Sequence, residues 1–284
     1  MNNYYKKRKV IISATCHGEV IQALFLKSPS FTDRYECEFI PNYQVGHSGI
    51  ERASIALLLN KLSNCDILIY HDALGISHSS LLEYLPSHAA TIVIPYPTTL
   101  IYWPGHSLNP IWLIKERGAS VIPFPCLVLN NIIMSYRDKS KILEEYLNLD
   151  FSQHVDMDNI LTNQIQYLKT AQRNSPLDVA TYVANYFNNK RLFHLPNHPS
   201  SSLFEFMTNG LLEILGCKSN VSLDTDLFEG LQTPIHPSVI KYFDLKWCRP
   251  DTIYNLWGRR LNFEAYVRLY IDAFMQQNWE ANEA

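Results

Sequence analysis

The feature that most constrains the fold is an alternation of short apolar runs with stretches of helical spacing over the first 125 or so residues. Residues 9–13, 65–70 and 90–95 are the clearest strands, and 35–41 and 119–123 are further candidates. Residues 19–26 and 50–62 have apolar positions at helical spacing. Strands that alternate with helices through short connections favour an α/β fold with a mainly parallel sheet flanked by helices.

The second half changes character and is predicted to be largely helical. Helices are expected at 138–149, 156–172, 175–188, 200–215 and 262–278. Ser175 followed by Pro176 is typical of a helix start, and Gly216 is typical of a helix end. We therefore expect an α/β sheet portion over 1–134 and a mostly helical portion over 135–284 packed on it, in one compact unit.

Composition excludes several classes of protein. The 284 residues are 47% hydrophobic and 18% charged, which excludes global disorder. With 24 Lys and Arg against 27 Asp and Glu, the net charge of −3 argues against a nucleic-acid-binding protein. No apolar run is long enough for a transmembrane segment or a secretion signal, so we expect a cytoplasmic protein. The six cysteines form no CxxC pair and are expected to be reduced.

The first candidate site is the turn Thr15-Cys16-His17-Gly18, between a predicted strand and a predicted helix. Ligands of parallel sheets bind beyond the carboxyl ends of the strands. A thiol at a helix N-terminus is expected to have a lowered pKa, and the amides of His17 and Gly18 could hold an oxyanion or a phosphate. The alternative is a buried cysteine beside a glycine that permits the turn.

The second candidate is the segment 191–200. His194 and His198 have the i,i+4 spacing of helical metal sites, but Pro196 and Pro199 exclude a continuous helix, so a zinc site of this kind is excluded. What remains is a loop that presents Asn197 and His198, whose imidazole is suited to general acid–base chemistry near neutral pH. A loop histidine hydrogen-bonded to backbone is the alternative.

His71 follows the strand 66–70 and is expected at the same sheet edge as Cys16, where it would contact substrate or orient Cys16. The alternative there is that Asp72 simply caps the next helix.

The run 95–106 is rich in aromatic residues and proline and offers a wall for a sugar ring or an acyl-thiol arm through Tyr96, Tyr102 and Trp103. The alternative is that these rings serve only to pack a long loop.

Basic residues are the last candidates. They fall at 6–9, at Lys190 and Arg191, and at Arg259 and Arg260, and arginine forks suit the phosphates of a polyanionic cofactor. Arg191 is the preferred position because it directly precedes the loop that holds His198. The alternative is that each of them is simply a solvated surface residue. The sequence contains no GxGxxG, GxxxxGK[ST], GxSxG or HExxH motif.

Together these segments resemble the WcbI-type family of polysaccharide biosynthesis proteins, which are regarded as acetyltransferases. The resemblance spans residues 8–275 and rests on ordered features: a strand leading into Cys16, a strand ending in Tyr70-His71, the block Leu192-Phe193-His194 with Asn197-His198-Pro199-Ser200, Leu215-Gly216, and Thr233-Pro234-Ile235-His236-Pro237. This sequence has Thr15 and His17 around the cysteine where the family commonly has Asn and Gln, and His71 where the family often has Gln.

The resemblance implies a fold similar in outline to SGNH hydrolases. It also implies coenzyme A or acetyl-coenzyme A as cosubstrate, without a metal, and acetyl transfer to a hydroxyl of a capsular or surface polysaccharide or its sugar precursor. Cys16, His198 and His71 would then be catalytic. His17, Gly18, Arg191, Asn197, Arg259 and Arg260 would bind coenzyme A, and Tyr96, Tyr102 and Trp103 would contact substrate.

Two mechanisms remain open from the sequence. In one, His198 activates the sugar hydroxyl for direct attack on the thioester; in the other, Cys16 is acylated first. Two other functions also remain open: an SGNH-like esterase or deacetylase that acts on acylated glycan, and a non-catalytic protein that binds coenzyme A or glycan.

Overall fold

Four parallel strands form the main sheet. In the computed structural model, which describes residues 6–42, 59–71, 82–107, 113–116, 119–122 and 124–283, they lie in the order β2-β1-β3-β4. Their bounds are Arg8–Ala14 (β1), Tyr35–Pro41 (β2), Ile67–His71 (β3) and Ala90–Ile94 (β4). Helices flank this sheet, so the predicted α/β class is confirmed.

Helix α1 (His17–Leu26) covers one face of the sheet. Its buried residues recur every three or four positions and include Val20, Ile21, Leu24 and Phe25, so that one side of the helix is apolar. The opposite face carries an apolar cluster of Ile11, Ile40, Leu62, Cys65 and Leu68. Apolar side chains on both faces explain why these strands are nearly continuous hydrophobic runs in the sequence.

Further helices follow along the chain. They are Pro29–Thr32 (α2), Leu127–Ser135 (α3), Lys139–Leu147 (α4), Met157–Ala171 (α5), Val179–Tyr186 (α6), Ser201–Ile214 (α7), Pro237–Tyr242 (α8) and Phe263–Glu283 (α9), with a 3-10 turn at Phe151–Gln153. Those at Pro29–Thr32, Leu127–Ser135 and Pro237–Tyr242 were not predicted from the sequence. Residues 59–62 are helical, whereas residues 50–58 of the predicted helix lie outside the described residues.

Helix α6 begins later than predicted. The expected cap, Ser175, instead accepts a hydrogen bond from the Leu177 N–H at 3.2 Å, within the turn before the helix. The cap is Asp178, whose carboxylate accepts a hydrogen bond from the Thr181 N–H at 3.2 Å. The predicted end of α7 is confirmed, because Gly216 has a φ of 69° and its N–H donates to the Glu213 carbonyl oxygen at 2.9 Å.

In the described part of the chain, three short antiparallel pairs lie outside the main sheet. They are Leu113–Glu116 with Ala119–Ile122 (β5 and β6), Phe193–Leu195 with His198–Pro199 (β7 and β8), and Tyr254–Leu256 with Arg259–Leu261 (β9 and β10). The predicted strand at 119–123 therefore exists as β6, but its partner is β5 rather than a strand of the parallel sheet.

The chain divides into two units that alternate along the sequence. Unit 1 comprises residues 1–97, 168–181 and 201–226 and holds the parallel sheet, α1 and α7; unit 2 comprises 98–167, 182–200 and 227–284. Unit 2 has its own buried hydrogen bonds, among them one from the Tyr270 hydroxyl to Asn130 at 2.7 Å. The predicted division near residue 134 stays a prediction. Among the described residues, no helix is both long and apolar enough to cross a membrane.

Candidate active site

The turn between β1 and α1 places Cys16 at the carboxyl end of a central strand of the sheet. Cys16 is the N-terminal cap residue of α1 and is half-buried. The Gly18 N–H donates to the Thr15 carbonyl oxygen at 2.9 Å, and the Glu19 N–H donates to the Cys16 carbonyl oxygen at 3.2 Å. These two bonds close the turn and hold the thiol at the edge where parallel sheets bind ligands.

The thiol in this turn is protonated at neutral pH. Burial raises the pKa of Cys16 above its ordinary value of 9.0, and the negative charge of Glu19 adds to the increase. A hydrogen bond from the Thr15 side chain acts in the opposite direction but is the smaller effect. The backbone N–H groups of Cys16 and His17 at the start of α1 do lower the pKa of Cys16, as expected of a helix N-terminus, but desolvation of the thiolate is the larger effect and the net pKa is raised.

His71 supports the same turn from the neighbouring strand. It is fully buried at the end of β3, and its Nδ1 accepts a hydrogen bond from the Thr15 N–H at 3.3 Å. Since Nδ1 is the acceptor, the proton of the neutral ring is on Nε2. The contact is made to Thr15, the residue before Cys16, and a role for His71 in orienting the Cys16 thiol stays a prediction.

His17 is packed into aromatic surroundings rather than exposed beside Cys16. Its ring is 0% exposed, stacks on Tyr96 with centroids 4.8 Å apart, and meets His71 and Phe204 edge to face, each at 5.4 Å. Tyr96 is half-buried and also touches His71 at 5.4 Å. The structure thus brings together three predicted site residues, His17, His71 and Tyr96, around the Cys16 turn.

Gly18 has a packing role that the sequence suggested only as the alternative. A Cβ atom at this position would lie 2.5 Å from the Phe39 ring and 3.0 Å from the Ala14 Cβ. The absence of a side chain therefore lets the first turn of α1 approach β1 and β2 closely. Binding of coenzyme A by His17 and Gly18 stays a prediction.

The segment with the second candidate forms a tight hairpin in unit 2. Strands β7 and β8 pair antiparallel, with Leu195 opposite His198, so Pro196 and Asn197 form the turn. The Pro196 carbonyl oxygen accepts a hydrogen bond from the Thr99 N–H at 2.8 Å, and the His194 carbonyl oxygen accepts one from the Thr233 N–H at 2.9 Å. The hairpin is thus fixed on both sides, although the sequence predicted only a loop.

Asn197 is the hydrogen-bond partner of His198. The distance between Asn197 Oδ1 and His198 Nδ1 is 2.7 Å, and since the amide oxygen can only accept, Nδ1 carries the proton. The other ring nitrogen, Nε2, is then the basic one. The sequence indicated no orienting partner for His198, and Asn197 was predicted only to bind coenzyme A.

The His198 imidazole is neutral over the physiological pH range. Burial lowers its pKa from 6.5 to about 4, and the neighbouring His194 contributes a smaller decrease. Its ring also meets Phe228 edge to face at 4.7 Å. A neutral imidazole with its Nδ1 proton held by an amide has the form required of a general base.

His194 belongs to the interior of the hairpin. It is buried, and its Nδ1 lies 3.4 Å from the Gln232 amide nitrogen. Within the described ranges, no group of three or more His, Cys, Asp or Glu side chains could hold a metal ion.

Tyr102 and Trp103 lie in the core of unit 2 and are 1% and 2% exposed. The Tyr102 hydroxyl donates to the Phe187 carbonyl oxygen at 2.8 Å, and the Trp103 Nε1–H donates to the Thr233 carbonyl oxygen at 3.1 Å. These contacts are those of packing residues, the alternative stated above. A substrate-binding role for either ring stays a prediction.

The predicted cofactor-binding arginines differ in their surroundings. The Arg191 guanidinium lies over the Trp247 ring at 5.0 Å and the Tyr254 ring at 5.5 Å, so cation–π contacts fix its position. Arg259 and Arg260 are exposed on strand β10. Binding of phosphate by any of the three stays a prediction.

Fold and site together define an α/β protein whose parallel sheet presents a half-buried thiol at the carboxyl end of its first strand. The family model described as polysaccharide biosynthesis enzyme WcbI matches residues 9–220. This chain therefore belongs to the WcbI family of polysaccharide biosynthesis enzymes, and the resemblance seen in its sequence is confirmed.

A solved structure of WcbI has a similar fold. Its TM-score is 0.79 at 17% sequence identity, over 95% of this chain and 91% of that chain. It is described as a novel polysaccharide biosynthesis enzyme, in the form of the native protein without a disulfide bond between coenzyme A and one of its cysteines. A search of curated proteins finds no match.

Proposed function

We propose that this protein is a coenzyme A-dependent acetyltransferase that acts on a hydroxyl of a capsular or surface polysaccharide or of its sugar precursor. The observation that carries the proposal is the Cys16 turn, in which a half-buried thiol stands at the ligand-binding edge of a parallel sheet. The description of the solved WcbI structure links coenzyme A to a cysteine in that protein. Binding of an acyl thioester donor at the Cys16 turn is consistent with the position of the thiol and with that description.

The surroundings of the turn suit the thiol end of such a donor. Tyr96 offers a half-buried aromatic surface beside the turn. The His17 N–H lies 3.5 Å from the Thr15 hydroxyl oxygen and also hydrogen-bonds the Cys16 thiolate, and the Gly18 N–H donates within the turn. We assign Arg191 the binding of a donor phosphate.

Of the two mechanisms that the sequence left open, the ionisation states favour direct transfer. The Cys16 thiol has a raised pKa and is a poor nucleophile at rest, whereas the His198 imidazole is neutral and can accept a proton. In direct transfer the hydroxyl oxygen attacks the thioester carbonyl while a general base takes its proton, the carbon–sulfur bond breaks, and the proton passes to the departing thiolate. His198, whose basic nitrogen is Nε2, has the form of that base.

The first test is ligand binding. Isothermal calorimetry with coenzyme A, acetyl-coenzyme A and a set of nucleotide sugars should show binding of the two coenzyme A species. Release of free coenzyme A thiol from acetyl-coenzyme A, measured with each nucleotide sugar as acceptor, then tests turnover. Hydrolysis of acetylated sugars without coenzyme A would instead identify an esterase.

The role of Cys16 distinguishes the two mechanisms. Under direct transfer, Cys16→Ser should keep most of the turnover, and intact mass measurement with acetyl-coenzyme A should find no acetyl-enzyme. Cys37→Ala is the matched control, because Cys37 is also half-buried and burial raises its pKa to about 12. An acetyl adduct that persists in Cys37→Ala and disappears in Cys16→Ala would establish the covalent mechanism instead.

A further inference from the structure

The amino-terminal edge of the parallel sheet contains a recess of about 230 Å³ lined by a run of basic residues. Lys6, Lys7, Arg8 and Lys9 are consecutive and exposed where β1 begins, and His88 faces them from the segment before β4. Three lysines and one arginine therefore line the recess, which is a local concentration of positive charge.

The positive charge of this basic recess exceeds the negative charge of its lining, which contains one carboxylate, Asp66. Among the described residues, no carboxylate forms an ion pair with the side chain of Lys6, Lys7, Arg8 or Lys9. Elsewhere on the surface, exposed lysines such as Lys27 and Lys139 do have carboxylate partners. Arg8 does lie over the Tyr35 ring, with its Cζ 5.9 Å from the ring centroid, but a ring carries no net charge. Adjacent cations repel each other, and a bound anion would relieve that repulsion.

The one carboxylate in the lining is already occupied. Asp66 accepts a hydrogen bond from the Lys9 backbone N–H at 2.7 Å through Oδ2, and its Oδ1 lies 3.4 Å from His88 Nε2. Its charge is thus directed at the strand backbone and the histidine rather than at the lysine side chains. Ser63 and Asn64 complete the lining with neutral hydrogen-bonding groups.

The recess lies at the opposite edge of the sheet from Cys16. Strand β1 runs from Arg8 at the recess to Ala14 beside the Cys16 turn, and seven residues of strand span roughly 20 Å. Its volume is below the ~300–1,000 Å³ of pockets that enclose a whole drug-sized ligand. A site of this size suits one compact charged group, and lysine ammonium groups with an arginine fork suit phosphate.

We propose that the basic recess is a second binding site, which takes a phosphate-bearing anion independently of the Cys16 turn. The phosphate is either free or part of a lipid headgroup, since both present the same chemistry to the recess. This proposal does not rest on the proposed acetyltransferase activity.

The test compares two triple variants of the full chain that remove the same charge. In the first, Lys6→Gln, Lys7→Gln and Lys9→Gln are combined; in the control, Arg137→Gln, Lys139→Gln and Lys141→Gln remove three exposed cations from unit 2. The probes are inorganic triphosphate, measured by calorimetry, and vesicles of phosphatidylcholine with or without phosphatidylserine, measured by co-sedimentation.

We expect the wild type to bind at least one anionic probe. The first variant should bind that probe roughly a hundredfold more weakly, because each lysine near an anionic surface contributes about 1 kcal/mol to the binding free energy. The control should bind like the wild type, and Lys6→Arg, Lys7→Arg and Lys9→Arg combined should restore binding. Triphosphate binding identifies free phosphate as the source, and binding to phosphatidylserine vesicles alone identifies a lipid headgroup. Binding of neither probe, or equal weakening in the control, would overturn the proposal.

Failure of this proposal and failure of the proposed acetyltransferase are distinguishable. His198→Ala should leave binding to the basic recess unchanged, and the first triple variant should keep its affinity for coenzyme A. Loss of coenzyme A affinity in that variant would show that the recess belongs to the coenzyme A site and is not a separate one.

Discussion

The Cys16 turn in unit 1 and the β7–β8 hairpin in unit 2 show the same physical effect with opposite chemical consequences. Burial favours the uncharged form of both groups, so it raises the pKa of the Cys16 thiol and lowers the pKa of the His198 imidazole. An uncharged thiol is a weak nucleophile, whereas an uncharged imidazole is the active form of a general base.

This difference shows that burial alone does not make a site reactive. At neutral pH the His198 imidazole is already in the form that accepts a proton, although its lowered pKa makes it a weak base, whereas the Cys16 thiol must first lose its proton. In the proposed reaction, proton transfer is therefore the role of His198 and Cys16 only lines the turn, and the following changes either break or sharpen that proposal.

The largest expected effect is that of His198→Ala. Loss of a general base lowers turnover by roughly 10²–10⁴-fold. Release of coenzyme A thiol from acetyl-coenzyme A in the presence of acceptor measures it, and the thermal midpoint should show that the fold is kept. His154→Ala is the control, since His154 is exposed and lies outside the hairpin. Unchanged turnover in His198→Ala would remove the hairpin from the mechanism.

Gly18→Ala tests whether the turn depends on close packing. The added Cβ would overlap the Phe39 ring, and overpacking of this kind destabilises a fold by about 1–3 kcal/mol. We therefore expect a lower midpoint in thermal unfolding. Gly230→Ala is the matched control, because a Cβ there would meet nothing within 4 Å. Equal thermal midpoints for the two variants would mean that α1 accommodates the added Cβ without loss of stability.

The smallest change, Asn197→Asp, tests the hydrogen bond within the hairpin. In the wild type, kcat/KM should fall only as the pH drops through about 4, where His198 gains a proton. A carboxylate next to the ring favours the imidazolium and raises its pKa, so the fall should begin at a higher pH. The pH profile of kcat/KM measures this shift, and a purely structural role for Asn197 would lower activity equally at every pH.

Much of the fold was predictable because its signals are local. The apolar runs that became β1, β3 and β4 and the glycine that ends α7 act through neighbouring residues. Where a prediction failed, a competing local group had prevailed, as with Asp178 in place of Ser175 at the start of α6. The pairing of β6 with β5 depended on which strand was nearest in space, and periodicity carries no information about that.

The candidate site likewise divides into features that the sequence determined and features that only the tertiary structure decided. The sequence by itself determined that Cys16 follows the first strand and that Pro196 and Pro199 prevent a helical metal site. Only the tertiary structure decided that His17 is packed between aromatic rings, that Trp103 is a core residue and that the thiol is protonated. Burial and hydrogen-bond partners are set by residues far apart in the chain, and pKa values follow from them.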